Sequence, residues 1–165
     1  MGESLWWDLM AYVETTMADA LSADNYATLA VESSRVVAML DMNAWDGWDK
    51  PALIVAPGRL RRDVGPHGNG LINFEKRYTI DVIGICVGSD TTALRDAAIL
   101  EKRIEEELRT WVSLPAIANT YNEYLQQWTM GESGLNVYVR AGCDPTDSDA
   151  CYGVATVQLV ARAMT

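Results

Sequence analysis

Apolar residues near the start of the chain recur at a helical spacing. Leu5, Leu9, Val13, Met17 and Leu21 fall every four residues, Trp6, Met10 and Ala20 widen the stripe, and Asp8, Glu14 and Asp19 lie off it. That pattern predicts an amphipathic helix capped by Ser4 and stopping among the small polar residues of 22–25. Over 26–42 the pattern is mixed. Leu29, Val36, Val37 and Leu40 suit a second helix, and RVVAML suits a strand as well. We read this stretch as helix. The segment NAWDGWD (43–49) is a loop by composition, with Trp45 and Trp48 set among acids. Two readings of it stand: the indoles fold back on a core edge, or they are exposed as an aromatic protein-binding loop.

From Pro51 onward the period changes from helical to alternating. ALIVA (52–56) is a short apolar strand ended by Pro57 and Gly58, and the Gly/Pro-dense DVGPHGNG that follows is an extended loop or hairpin arm. A long strand is expected over 72–87. Tyr78, Ile80 and Val82 share one face and Thr79, Asp81, Ile83 and Ile85 the other, with the later half apolar on both sides. Ser89 and Asp90 cap the clearest helix, 91–112, whose stripe is Leu94, Ala97, Leu100, Ile104, Leu108 and Trp111. The stretch 116–130 is ambiguous, although NEYLQQWTM alternates weakly. LNVYVRA and YGVATVQLVARAM then read as two antiparallel strands joined by an acidic loop at 143–151.

Helices and strands in this order argue for an α+β fold: an antiparallel or mixed sheet of about four strands with one or two helices on one face. A chain of 165 residues is one domain, at roughly 100–200 residues each. Its helical N-terminal part is 1–42 and its α+β core 50–165. No apolar run is long enough to cross a membrane, and MGESLWWDLM lacks the basic start of a signal peptide.

Charge sharpens the picture. The chain carries 13 Lys+Arg against 23 Asp+Glu, a net of −10. That disfavours sequence-specific nucleic-acid binding, which needs a basic footprint. The excess is uneven: residues 1–50 hold nine acids and two bases, whereas 51–89 hold three acids and five bases. Those five are Arg59, Arg61, Arg62, Lys76 and Arg77. Solvated strand ends would explain them. So would a basic projection docking on an acidic neighbour, such as another copy of the chain, and this makes the five a candidate subunit interface.

Candidate chemistry is sparse. His67 is the single histidine, so a multi-histidine metal site is excluded and a triad would depend on it alone. Gly65, Gly68 and Gly70 precede a strand, whereas a phosphate loop needs a helix N-terminus. Glu105, Glu106 and Glu107 are helix neighbours that do not face one another, so they form no acid/base pair. Asp144, Asp147 and Asp149 lack the glycine and closing Glu of a calcium loop. Cys86 lies in an apolar run. Cys143 and Cys151 bracket the acidic loop, where a disulfide and two free thiols are both open readings. No catalytic, cofactor or metal residues are therefore assigned, and the expectation is a non-enzyme.

The layout as a whole resembles a known family. A leading amphipathic helix comes first, then PALIVAPG, then KRYTIDVIGICVGSD after a loop, then ALRDAAILEKRIEEELRTW, and a closing hairpin GLNVYVRAG…GVATVQLVARAM. This is similar to the tail terminator, or tail-completion, proteins of long-tailed bacteriophages, over roughly 50–164. The resemblance implies a virion protein assembled in the host cytoplasm, forming a hexameric ring on the tail tube. Its partners would be itself, the tail tube protein and the neck or connector protein. DNA would pass through an acidic lumen without sequence recognition, and no membrane or cofactor is implied. The long N-terminal third, with NAWDGWDK and the helix expected over 26–42, departs from the family. That keeps another neck or head-completion protein in view, beside a non-viral α+β adaptor and a small enzyme.

Overall fold

The computed structural model describes residues 5–23, 30–31, 45–47, 51–58, 75–110 and 124–164. Their elements in chain order are helix α1 (Leu5–Ala23), strands β1 (Ala30–Val31), β2 (Ala52–Pro57) and β3 (Glu75–Gly88), helix α2 (Asp90–Thr110), and strands β4 (Tyr124–Val139) and β5 (Cys151–Met164). The strands form one sheet in the order β1-β2-β3-β5-β4. Only the β1–β2 pair is parallel; β2–β3, β3–β5 and β4–β5 are antiparallel. The fold is α+β, as the sequence pattern implies.

Strand alternation divides the sheet into two apolar faces. Leu53 and Val55 of β2, Tyr78, Ile80 and Val82 of β3, and Val157, Leu159 and Ala161 of β5 turn to the same side. There they meet Leu9, Met10, Val13, Met17 and Leu21 of α1 and Leu100, Ile104 and Leu108 of α2 in one continuous core. The other face carries Ala52, Ile54, Ala56, Ile83, Ile85 and Val154, packed with Trp45 and Tyr152. All five residues 52–56 are buried because β2 lies inside the sheet with apolar material on both sides.

Helix α2 starts where the sequence places its cap. The Ser89 hydroxyl accepts from the Thr92 amide at 3.3 Å, and the Ser89 amide donates to the Thr92 hydroxyl at 2.7 Å. This reciprocal arrangement satisfies amides that the first turn would otherwise leave unpaired. Its buried stripe is Ala93, Ala97, Leu100, Ile104 and Leu108. Leu94, expected in that stripe, is instead 45% exposed. Ala93 takes that place, packed with Ala150 and Cys151, while its backbone carbonyl lies over Gly153 of β5, so the stripe starts one position earlier. Trp111 lies outside the described residues.

Two other expectations change. Ala30 and Val31, inside the stretch read as a second helix, pair in parallel with Ala52 and Leu53. A two-residue tertiary pairing outweighs a weak helical period there, and the rest of 26–42 lies outside the described residues. YLQQWTM (124–130), from the ambiguous stretch, and the strand LNVYV are one element, β4, with register shifts between Leu125 and Gln127 and between Met130 and Ser133. Those irregularities broke the alternation that would have shown the strand as continuous. Among the described residues no helix is long and apolar enough to cross a membrane.

Candidate assembly surface

The β4–β5 hairpin ends in a tight loop over 140–150. Arg140 N–H donates to Ala150 O at 2.8 Å, Cys143 N–H to Arg140 O at 3.1 Å and Asp147 N–H to Asp144 O at 3.0 Å. Gly142 has φ +78°, a backbone conformation that side-chain-bearing residues rarely adopt. The Asp144 carboxylate accepts from Thr146 N–H at 3.0 Å and from its hydroxyl at 2.8 Å, and these bonds hold its pKa below the ordinary value. This acid closes an Asx turn. Among the described residues no three His, Cys, Asp or Glu side chains are placed to hold a metal ion.

At the base of that loop sits an aromatic and charged knot. Trp45 is 4% exposed and packs edge-on against Tyr152 and Tyr138, at centroid distances of 5.3 and 6.2 Å. The Tyr152 hydroxyl donates to Asp46 Oδ1. The same carboxylate oxygen takes an ion pair from Arg140 Nε at 3.2 Å, and the Arg140 guanidinium lies 5.8 Å from the Tyr152 ring centroid. Burial first, then the hydrogen bond to Asp46, pushes the Tyr152 phenol up to about 12. The knot ties Trp45 and Asp46, early in the chain, to the closing hairpin.

Trp45 thus takes the first of its two readings, folded on the core edge with its ring covered. Trp48 lies outside the described residues, as do Arg59, Arg61, Arg62 and His67. Lys76 and Arg77 open β3, where the register sets them opposite Ala163 and Arg162 of β5. Arg162 therefore extends the basic end of the sheet onto a second strand. Sequence reading missed it, because nothing in the chain order puts 162 beside 77. It also missed Asp46, Arg140 and Tyr152, whose pairing depends on the same long-range contacts.

Among the described residues no His, Cys, Asp or Glu cluster forms a site. Cys86, Cys143 and Cys151 are all free thiols. Burial, reinforced by Asp96, pushes Cys86 up to about 12, so it carries no thiolate near neutral pH. Glu105 and Glu106 face Arg109, Lys102 and Arg103 along the outside of α2 at 3.9–4.0 Å. Asp81, across the sheet from Gln158, accepts from its amide at 3.3 Å, and burial raises its pKa. A cleft of about 160 Å³ opens beside Trp45 between Ile54, Ile83, Val154, Thr156, Asn136 and Tyr138. Small-molecule sites usually enclose about 300–1,000 Å³. The cleft is too small for that, and no titratable acid or base lines it apart from the Tyr138 phenol.

Among the described residues, β4 forms one outer edge of the sheet. This strand ends the sheet, and Leu135, Tyr138 and Val139 on it are 36%, 40% and 45% exposed. Sequence pattern marks a strand here but not its place in the sheet. Compared with protein-family models, the chain matches none. Compared with curated proteins, it matches none either.

Proposed function

We propose that this protein is a structural subunit of a phage tail or neck, forming a ring that terminates the tail tube and joins it to the head-side connector. One observation carries the reading: a helix, two antiparallel strands, a second helix and a closing hairpin build one sheet with both helices on the same face. That is the layout on which the resemblance to tail terminator proteins rests. Two features support it. Asp144, Glu105, Glu106 and Cys86 are engaged in a turn, in surface ion pairs and in core packing. The net charge of −10 would let DNA slide through a lumen rather than adhere.

The test uses the tail tube protein encoded by the same genome. Added to polymerising tubes, the chain should shorten them and leave a ring of six subunits at one end in electron micrographs. Tubes that reach the same length with bare ends would overturn the reading.

A further inference from the structure

We propose that residues 133–139 of β4 pair antiparallel with the same segment of a second copy, about a two-fold axis through Asn136. The first half of β4 carries two register irregularities, which bend and twist an edge away from partners. Beyond the second one the ladder is regular, from Ser133 opposite Val157 to Val139 opposite Cys151. The sequence there, SGLNVYV, has no charge and no proline. Leu135, Asn136, Tyr138 and Val139 are all exposed. Regular, uncharged and open edges of this kind are templates for strand addition.

The hydrogen-bonding phase fits. Arg140 N–H points to the β5 side, where it meets Ala150 O just before that strand begins. In an antiparallel ladder that direction alternates, so Tyr138, Asn136 and Gly134 also turn inward. Ser133, Leu135, Val137 and Val139 therefore present N–H and C=O outward. An axis through Asn136 sets Leu135 opposite Val137 of the second copy and Ser133 opposite its Val139, so every outward group meets a partner.

The side chains identify the occupant as a second copy. Glu132 and Arg140 flank the segment on either side of Asn136, so the axis brings the acidic end of one copy beside the basic end of the other. Glu132 sits in the irregular stretch before Ser133, so this is charge complementarity between segment ends rather than a register pair. On the helix-bearing face Leu135 meets Val137. On the other face Tyr138 falls opposite Gly134, where a Cβ would find nothing within 4 Å, so the phenol ring has room to lie over it. The same self-complementarity makes the contact isologous.

A two-fold contact cannot itself close a ring about one axis, so this pairing is independent of the ring. It doubles whatever state the ring contact sets, giving a dimer from monomers or two rings back to back. Light scattering of the purified chain at micromolar concentration should give twice the mass of a Leu135→Lys variant, with matching circular dichroism and melting curves. As a register test, Asn136→Cys should cross-link to a dimer in oxidised glutathione, since directly opposed residues lie within disulfide reach. Leu135→Cys and the parent, with its own three thiols, should not. Equal masses for parent and Leu135→Lys would overturn the pairing while leaving the ring untouched. So would cross-linking through Leu135→Cys but not Asn136→Cys, and that result stands if Leu135→Lys fails to fold.

Discussion

The carbonyl of Ala93 rests directly over Gly153, so close that a Cβ on Gly153 would come within 2.6 Å of the Ala93 carbonyl carbon. Here the backbone of α2 lies directly on the sheet. The contact sets the height of the helix and so the depth to which Leu100 and Ile104 reach. The obstructing group is backbone, not the end of a flexible side chain, and cannot swing aside. Gly153→Ala should therefore destabilise the fold by at least the ~1–3 kcal/mol typical of overpacked cores. The urea midpoint reads it, and a shift within error would mean the helix sits higher than described.

Two substitutions on α2 separate its buried and outer flanks. Ile104 is fully buried between the helix and β3, whereas Leu94 is 45% exposed. Ile104→Ala should lose about 2–5 kcal/mol. Leu94→Ala should stay within about 0.5 kcal/mol, as surface changes do. Thermal melts of the two variants side by side give the comparison. Equal losses would place Leu94 back in the core stripe.

Much of the fold is legible in the chain because it depends on local rules. The cap at Ser89 is fixed by residues three apart, and the faces of β3 by a period of two. What could not be read depends on contacts distant in sequence. Ala93 rather than Leu94 turns inward where the helix meets Ala150, Cys151 and Gly153, all more than fifty positions later. Ala30 and Val31 are strand because Ala52 and Leu53 offer an edge. The knot at Trp45 was half visible. Its composition marked a loop with indoles needing a home, but the home is Tyr138 and Tyr152, supplied by a hairpin closing near the other end of the chain. The edge position of β4 follows from strand order, which periodicity does not encode.

The basic residues around the Gly/Pro-rich loop carry a prediction from charge. Arg59, Arg61 and Arg62 belong to the net-positive segment of a chain whose first fifty residues are strongly acidic. Head-to-tail copies around a ring could set base against acid. Exposed pairs are individually weak and screened by salt, so ring assembly should weaken at high ionic strength. Reversing all three arginines to Glu should reduce rings on tube ends and lower the ring mass in light scattering. A triple variant that assembles like the parent at low and high salt alike would remove the segment from the interface.

Tyr152 predicts an alkaline limit to stability. Its hydroxyl donates to Asp46, and burial together with that bond raises the phenol from its ordinary 10.0 to about 12. The folded chain therefore holds this proton more tightly than the unfolded one. Below pH 10 both states keep it, and the contribution is fully present. Between pH 10 and 12 the unfolded state ionises while the folded state does not, so stability falls as pH rises, and it is lost once the folded phenol titrates. Tyr152→Phe removes both the hydrogen bond and the titration. Near neutral pH it should cost about 1 kcal/mol, since Asp46 keeps its Arg140 partner and is partly solvated. Cys86 is also pushed up to about 12, and its alkaline loss is common to both proteins. Subtracting the two curves isolates the phenol. The gap between parent and variant, measured by urea unfolding at intervals from pH 8 to 12, should be constant to about pH 10, then close and change sign before pH 12, since a rise from 10.0 to about 12 outweighs a ~1 kcal/mol gap. Curves that stay parallel through pH 12 would show that the Tyr152 proton is held no more tightly in the folded chain than in the unfolded one.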